Sequence, residues 1–304
     1  NALNKLNEGP MAEKTLQAIY REILSGQFDL LRPDRVAFFG TEGSFTHQAT
    51  LLKFGESVET VASPTIPDVF TDVAKGSVDF GVVPVENSTE GAVTVTFDHF
   101  QETNLKIYSE VYLRIHHYLM AKCPLNELKV VYSHPQVFGQ TRRWTQQNLP
   151  GVDLVEVSNT TAAAKRAATE PNAGALGSHL AAEKFGLPIL SSKIEDFNEN
   201  ITRFLVLSKH ESQPTDDDKT SLMFAIGDRV GALYDSLLPF KNHGVNLTMI
   251  QSRPSKKNAW DYLFFVDCLG RAYDSPLKDA IDELSTHCKL VKILGSYPRA
   301  IPLD

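Results

Sequence analysis

From Val36 onward the chain alternates short, strongly apolar runs with helix-like segments, and this alternation restricts the fold more than any other feature. VAFFG, DFGVVPV, VVYSH, DLVEV and GALGS read as strands, and residues 43–54, 65–75, 135–148, 160–169 and 179–185 read as helices. Such alternation predicts open α/β sheets with largely parallel strands. The units cluster at about 36–105 and 112–195, which predicts two lobes. The apolar run 201–208 follows the second cluster and is expected to return to the first, leaving a cleft between them.

Beyond a polar, Pro-containing linker at 210–219 (HESQPTDDDK) the order changes to strand, helix, strand, strand, helix, strand. That is βαββαβ, a ferredoxin-like α+β unit. Ahead of both, residues 11–31 carry Leu16, Ile19, Tyr20, Ile23 and Leu24 at helical spacing, with Gly9-Pro10 marking the start of one amphipathic helix.

A chain of 304 residues with 42% apolar content can bury cores for two or more domains. A formal charge of −7, with no basic stripe, argues against a nucleic-acid partner. Cys123, Cys268 and Cys288 are widely spaced and form no CxxC, which fits reduced thiols rather than a disulfide frame or a metal site. No metal and no organic cofactor is expected. Without an apolar run of roughly 20 residues or a secretory signal, a cytoplasmic protein with no membrane partner is expected. Because it opens with Asn1-Ala2 rather than Met, the chain is expected to be a piece of a longer one.

Polar groups gather at strand ends, where open α/β sheets bind ligands. Gly40–His47 leads from a strand into a helix, and Ser44 and Thr46 lie beside unpaired helix N–H groups that favour anions. Val83-Pro84-Val85 ends in Glu86, Asn87 and Ser88. Gln136 and Gln140 share a helix face after Ser133-His134-Pro135. Asn159-Thr160-Thr161 and Gly177-Ser178 are further hydroxyl-rich turns. Asn200-Ile201-Thr202-Arg203-Phe204 puts a hydroxyl and a permanent cation at the mouth of a strand. Singly, each fits an ordinary cap or turn; together they describe a cleft rich in neutral donors, suited to a multiply anionic small molecule.

GTEGSFTHQA, VVPVENSTEGAV, YSHPQVFGQ, NTTAAA, GSHLAAEKFGL and NITRF resemble, in order and spacing, the motifs of the prephenate dehydratase family. The C-terminal unit resembles its regulatory ACT domain, with GALY at 231–234 and QSRP at 251–254. Residues 3–31 resemble the last helix of the chorismate mutase domain in bifunctional members. The resemblance implies a two-lobed, periplasmic-binding-protein-like catalytic domain at 34–209, with lobes at about 34–110 plus 196–209 and 111–195. The linker would be 210–219 and the ACT domain 220–304, with residues 1–33 as the mutase-like helix.

The implied reaction is decarboxylating dehydration of prephenate to phenylpyruvate in phenylalanine biosynthesis, with no cofactor. The family's essential threonine matches Thr202, which is expected to hydrogen-bond the departing hydroxyl or relay a proton. Glu86 is the candidate proton source, if burial raises its pKa. Arg203 is expected either to bind substrate or to brace the cleft from behind. Ser44, Phe45, Thr46, Asn87, Ser88, Gln140, Thr161 and Phe204 are the expected substrate contacts. The ACT resemblance implies homo-oligomers that bind L-phenylalanine as an allosteric inhibitor at an interface. Gly231, Ala232, Leu233, Asn246, Leu247, Ser252 and Arg253 would hold it. Gln251 stands where the family usually has Glu, which bears on the strength of inhibition. The alternatives are an arogenate dehydratase, which steady-state rates on both substrates distinguish, and a non-catalytic amino-acid sensor, which needs no Thr202-Arg203 pair.

Overall fold

The computed structural model describes residues 7–29, 34–197, 199–255 and 262–300. Parts of the expected N-terminal helix segment (1–6 and 30–33) and the last residues of the regulatory unit (301–304) lie outside them. Helix α1 (Glu13–Asp29) precedes a first lobe built from β1 (Arg35–Phe39), α2 (Phe45–Phe54), β2 (Glu59–Ser63), α3 (Ile66–Lys75), β3 (Phe80–Asn87), β4 (Gly91–Ala92), α4 (Thr94–Phe100) and β5 (Lys106–Arg114). The second lobe holds β6 (Tyr118–Ala121), β7 (Val130–Ser133), α5 (Pro135–Gln140), α6 (Arg142–Asn148), β8 (Asp153–Glu156), α7 (Thr160–Thr169), β9 (Ala173–Gly177), α8 (His179–Lys184) and β10 (Ile189–Ser192). Strand β11 (Ile201–Ser208) then returns to the first lobe, pairing with both β3 and β5.

The first sheet runs β2-β1-β3-β11-β5, with β4 paired off β3, and the second runs β10-β6-β9-β7-β8. Both are mixed, which corrects the expectation of largely parallel strands. β1 pairs in parallel with β2 and β3, whereas β11 is antiparallel to both neighbours. β6 is likewise antiparallel to β9 and β10. The physical reason is connectivity: a strand arriving from the other lobe enters without a right-handed crossover helix and is free to run the opposite way. Strands β2, β4, β5, β6 and β10 and helix α4 are additional to the elements expected from the sequence. The single helix expected at 135–148 is two, broken at Thr141, whose hydroxyl bonds the Val137 carbonyl.

The C-terminal unit matches the expected order: β12 (Asp218–Ala225), α9 (Ala232–Asn242), β13 (Leu247–Pro254), β14 (Tyr262–Leu269), α10 (Leu277–His287) and β15 (Leu290–Pro298). Its sheet runs β13-β14-β12-β15. β12 is buried along its whole length because both faces are covered. Leu222, Phe224 and Val266 pack beneath α9 and α10. On the other face Met223, Phe265 and Leu294 share one core with Phe97, Phe100, Ile107, Leu205 and Leu207 of the first lobe. The regulatory sheet therefore sits directly against the back of β11. α1 is attached more lightly, through Arg21 to the Leu52 carbonyl and Glu22 to the Glu56 amide.

The backbones of the two units approach closely at Gly295, beside the irregularity where β15 shifts register against β12. A Cβ at that position would overlap the Ile107 carbonyl oxygen. Gly295→Ala is expected to lower stability by about 1–3 kcal/mol through overpacking, read as a fall in the urea midpoint. Gly139→Ala, with nothing within 4 Å of its added carbon, should leave the midpoint unchanged or raise it.

Candidate active site

A cleft of about 700 Å³ opens between the two lobes, below the C-terminal ends of the first-lobe strands. The first lobe contributes Ser44, Phe45 and Thr46 from the N-terminus of α2, Asn87 from the end of β3, and Thr202 and Phe204 from β11. The second contributes His117, Gln140, Asn159 and Thr160. Ser44 caps α2 by accepting from the His47 amide, and Asn159 caps α7 by accepting from the Ala162 amide. Both ten-residue helices thus point their positive ends at the cleft from opposite sides. At one edge the lobes touch: Ser178 donates to the Gly43 carbonyl at 2.6 Å, and Lys184 pairs with Glu42. Gly43 has φ 86°, and Ala181 packs against it.

A β-bulge decides which polar group of β3 faces this space. Phe204 pairs with Pro84 and Arg203 with Glu86, so Val85 is the extra residue. The insertion shifts the side-chain alternation by one. Asn87 turns into the cleft opposite Thr202, and Glu86 is exposed beside Arg203 on the far face. Glu86 therefore does not line the cleft, and the burial on which its expected role as proton source depended is absent.

Arg203 is also absent from the cleft. Strand alternation sends it into the junction with the regulatory sheet, where it is 4% exposed. Its guanidinium contacts Glu110 at 2.8 Å, Asp267 at 2.6 Å and the Tyr297 hydroxyl at 3.0 Å, and Lys219 joins Glu110 at 3.0 Å. Burial opposes its charge, but the Asp267 and Glu110 carboxylates outweigh that and hold it protonated. Burial, reinforced by Asp267, pushes the Tyr297 hydroxyl far above its usual range, so it stays a neutral hydrogen-bonding group. Two further expected contacts miss the cleft. Ser88 bonds the Glu199 carbonyl and the Ile201 amide, stitching two loops together. Thr161 is buried in the first turn of α7, where Asn159 and Thr160 take the cleft positions.

Five of the cleft's polar side chains, Thr202, Asn87, Asn200, Gln140 and His117, form one chain of hydrogen bonds with a definite direction. Asn87 Oδ1 accepts from the Thr89 amide (2.9 Å), the Thr89 hydroxyl (2.6 Å) and the Glu90 amide (3.0 Å), which fixes its amide group. Asn87 Nδ2 then donates at 2.8 Å to both Thr202 Oγ1 and Asn200 Oδ1. Asn200 Nδ2 donates to Gln140 Oε1 at 3.2 Å, which also faces His117 Nε2 at 2.8 Å. Since Thr202 accepts from Asn87, its own proton is free to point at a ligand. Among the described residues lining the cleft none is Lys or Arg; Glu90, His117 and His134 are the titratable ones. Asn200 sat unremarked within NITRF, and His117 lay in an apolar run with no signal of function.

A second cavity, about 410 Å³, lies in the regulatory unit and is lined by Gly231, Ala232 and Leu233 together with Arg229, Tyr234 and Tyr262. Gly231 adopts φ 79° as the N-cap of α9 and leaves the helix amides without a side-chain cap. Asn246, Leu247, Ser252 and Arg253 do not line this cavity, because β13 is the sheet edge beyond β14. Arg253 instead makes a bidentate pair with Asp98 of α4, at 2.9 and 3.1 Å.

Truncating Arg203 leaves Glu110 and Asp267 buried with one fewer cation. Arg203→Ala is expected to cost about 3–5 kcal/mol of stability, the scale for breaking a buried ion pair, measured as a lowered unfolding midpoint. A midpoint within error of the parent would place the residue's importance elsewhere.

The prephenate dehydratase family profile matches residues 36–212. The bifunctional chorismate mutase/prephenate dehydratase of Stutzerimonas stutzeri is 42% identical over 299 residues, covering 98% of this chain and 82% of that protein. That of Aquifex aeolicus is 44% identical over 294 residues, covering 96% and 81%. The crystal structure of prephenate dehydratase from Arthrobacter aurescens in complex with L-Phe superposes with a TM-score of 0.80 at 32% identity, covering 89% of this chain and 92% of that one. With the motifs, the two-lobed cleft and these similarities in agreement, the chain belongs to the prephenate dehydratase family.

Proposed function

We propose that the interlobe cleft converts prephenate to phenylpyruvate as a carbon–oxygen lyase, with Thr202 as the donor to the departing hydroxyl. The observation that carries this reading is the polarity at Thr202, whose oxygen accepts from Asn87 at 2.8 Å and whose proton is therefore available to a ligand. Prephenate holds a ring carboxylate and, across the ring, a hydroxyl. Cleavage of the carbon–carbon bond releases carbon dioxide and sends its electron pair through the ring, which expels the hydroxyl as the ring becomes aromatic. The protein's task is to hold the dianion in line and stabilise the charge that grows on the leaving oxygen. A threonine hydroxyl is too weak an acid to give up its proton outright, so Thr202 lowers the barrier by a preorganised hydrogen bond. The N-termini of α2 and α7 face the cleft from opposite lobes and suit the two carboxylates of the substrate. Phe45 and Phe204 flank them with apolar surface for the ring.

The same reading assigns residues 34–209 to the dehydratase unit and 220–304 to its regulatory unit, a division supported by the three separate sheets. Residues 1–33 are read as the end of a mutase domain. L-Phenylalanine is the effector, its carboxylate meeting the uncapped amides at Gly231–Leu233. A second copy of the chain, associating through the regulatory units, brings residues of β13 toward that cavity.

Thr202→Ala is expected to remain folded and lose on the order of 10²–10³ in kcat, the effect of removing one preorganised donor. Turnover near that of the parent enzyme would remove Thr202 from the mechanism. Saturating L-phenylalanine is expected to lower the initial rate of phenylpyruvate formation. An unchanged rate would contradict the regulatory reading while leaving the catalytic one intact.

A further inference from the structure

His117 ends the chain of side chains that begins at Thr202. Its imidazole is 1% exposed and stands edge-on to Phe45, with ring centres 5.6 Å apart. Its backbone is pinned on both sides, N–H to Glu195 Oε2 at 3.0 Å and carbonyl to the Ile194 amide at 3.0 Å. Nε2 faces Gln140 Oε1, and Nδ1 has no hydrogen-bond partner.

The position of the ring proton follows from the far end of the chain. The turn at Thr89–Glu90 orients Asn87, so Asn87 has only N–H groups to offer Asn200 and Thr202. Asn200 must answer with its oxygen, which leaves its nitrogen for Gln140. Gln140 must in turn present its oxygen, and an oxygen facing Nε2 requires the proton there. Nδ1 then carries a lone pair, which is tolerated unpartnered better than a buried N–H. Burial, opposed by the Gln140 bond and the Glu195 carboxylate, holds the imidazole below its ordinary pKa and hence neutral near pH 7. The charged and titratable groups around it are Glu195 with its partner His116, Glu90 reached through Gln140, and His134 at the N-cap of α5.

His117 gives Gln140 its shorter hydrogen bond, 2.8 Å against 3.2 Å from Asn200. Without it, a reversed Gln140 would present its nitrogen to the nitrogen of Asn200 and its oxygen toward Glu90 and any bound anion. We propose that His117 is a positioning residue for the dehydration: a neutral imidazole protonated on Nε2 that locks Gln140 with its N–H₂ toward the cleft, at the far end of the hydrogen-bond chain that the Thr89–Glu90 turn sets through Asn87 and Asn200. The inference rests on the reading of the cleft as the prephenate site.

Two measurements on the full chain test it. Nitrogen-15 NMR of protein labelled at histidine, with the His117 resonances assigned by their loss in His117→Gln, should show Nε2 protonated and Nδ1 bare at pH 7. A ring protonated on Nδ1, or cationic, overturns the proposal whatever the activity. In kinetics, His117→Phe should lower kcat/KM for prephenate on the order of 10- to 100-fold, the scale for leaving a buried polar partner unsatisfied. His117→Gln, which restores an N–H near the Nε2 position, should recover most of that loss. In a Gln140→Met background, His117→Phe should cost nothing further, because residues that act through one another are not additive. A full and independent loss in that background overturns the positioning role. A parent enzyme inactive on prephenate overturns the substrate reading instead, and the ring tautomer still tests the polarity. Should His117→Phe fail to fold, the tautomer decides.

Discussion

Strand β11 leaves the second lobe and inserts between β3 and β5 of the first, and its two-residue side-chain period then divides the protein's chemistry. Thr202, Phe204 and Val206 turn toward the cleft side of the sheet, while Arg203, Leu205 and Leu207 turn toward the regulatory sheet. A shift of one residue would exchange the faces, placing a guanidinium in the cleft and a hydroxyl in an apolar junction. The register is held from both edges: hydrophobic burial acts along Leu205 and Leu207, and the Glu110–Asp267–Tyr297 cluster leaves only one place for the guanidinium. The ion cluster sits at an interface between units, so its contribution is specificity of register and docking more than net stability. That cluster is why the cleft can present a threonine at a fixed height.

The absence of Lys and Arg from the described cleft lining is consistent with the chemistry assigned to it. The substrate is a dianion and loses one carboxylate as carbon dioxide, so the charge at one end of the site disappears during the reaction. A cation placed against that carboxylate would stabilise the starting state and oppose its loss. Helix N-termini and amide N–H groups bind an anion with fixed dipoles that cost no reorganisation, and they release readily the neutral carbon dioxide that the ring carboxylate becomes. The directional chain from His117 to Thr202 extends the same logic. The amides of Asn87, Asn200 and Gln140 are oriented before substrate arrives, so these donors need not be chosen at the moment of reaction.

Much of this was legible in the sequence where a local pattern carried the information. The strand-to-helix turns at Ser44 and Asn159, the βαββαβ order after the linker, and the placing of Asn87, Gln140 and Thr202 all follow from residue type beside an apolar run. What failed did so for geometric reasons. Glu86 precedes Asn87 and is the stronger acid, but a one-residue bulge at Val85 reverses which of them faces the cleft, and no residue in VVPVEN announces a bulge. Arg203 adjoins Thr202 in sequence and therefore lies on the opposite face, a consequence of strand alternation that motif reading passes over. His117 and Asn200 have no local signature because their role comes from partners more than twenty residues away in the chain. Sheet parallelism was misjudged because the return of β11 is a long-range event.

The regulatory unit reaches the cleft by two independent mechanical routes. One runs from Asp267 and Tyr297 through Arg203 to the backbone of Thr202, within a single residue. The other runs from Arg253 through its bidentate bond to Asp98 in α4, a helix that begins where Gly91, Ala92 and Val93 line the cleft. Between them the shared apolar core is close-packed, and such cores respond to a displaced sheet by moving as a unit rather than by deforming locally. An effector in the Gly231 cavity alters catalysis only to the extent that it binds two positions of this sheet with different affinity. A displacement at β14 or β15 would then act on Thr202 through charge and on the cleft rim through α4 together. The neutral Gln251, two residues before Arg253 on β13, bonds only the Ser252 carbonyl among the contacts observed, so the charge that couples β13 to the first lobe is supplied by Arg253.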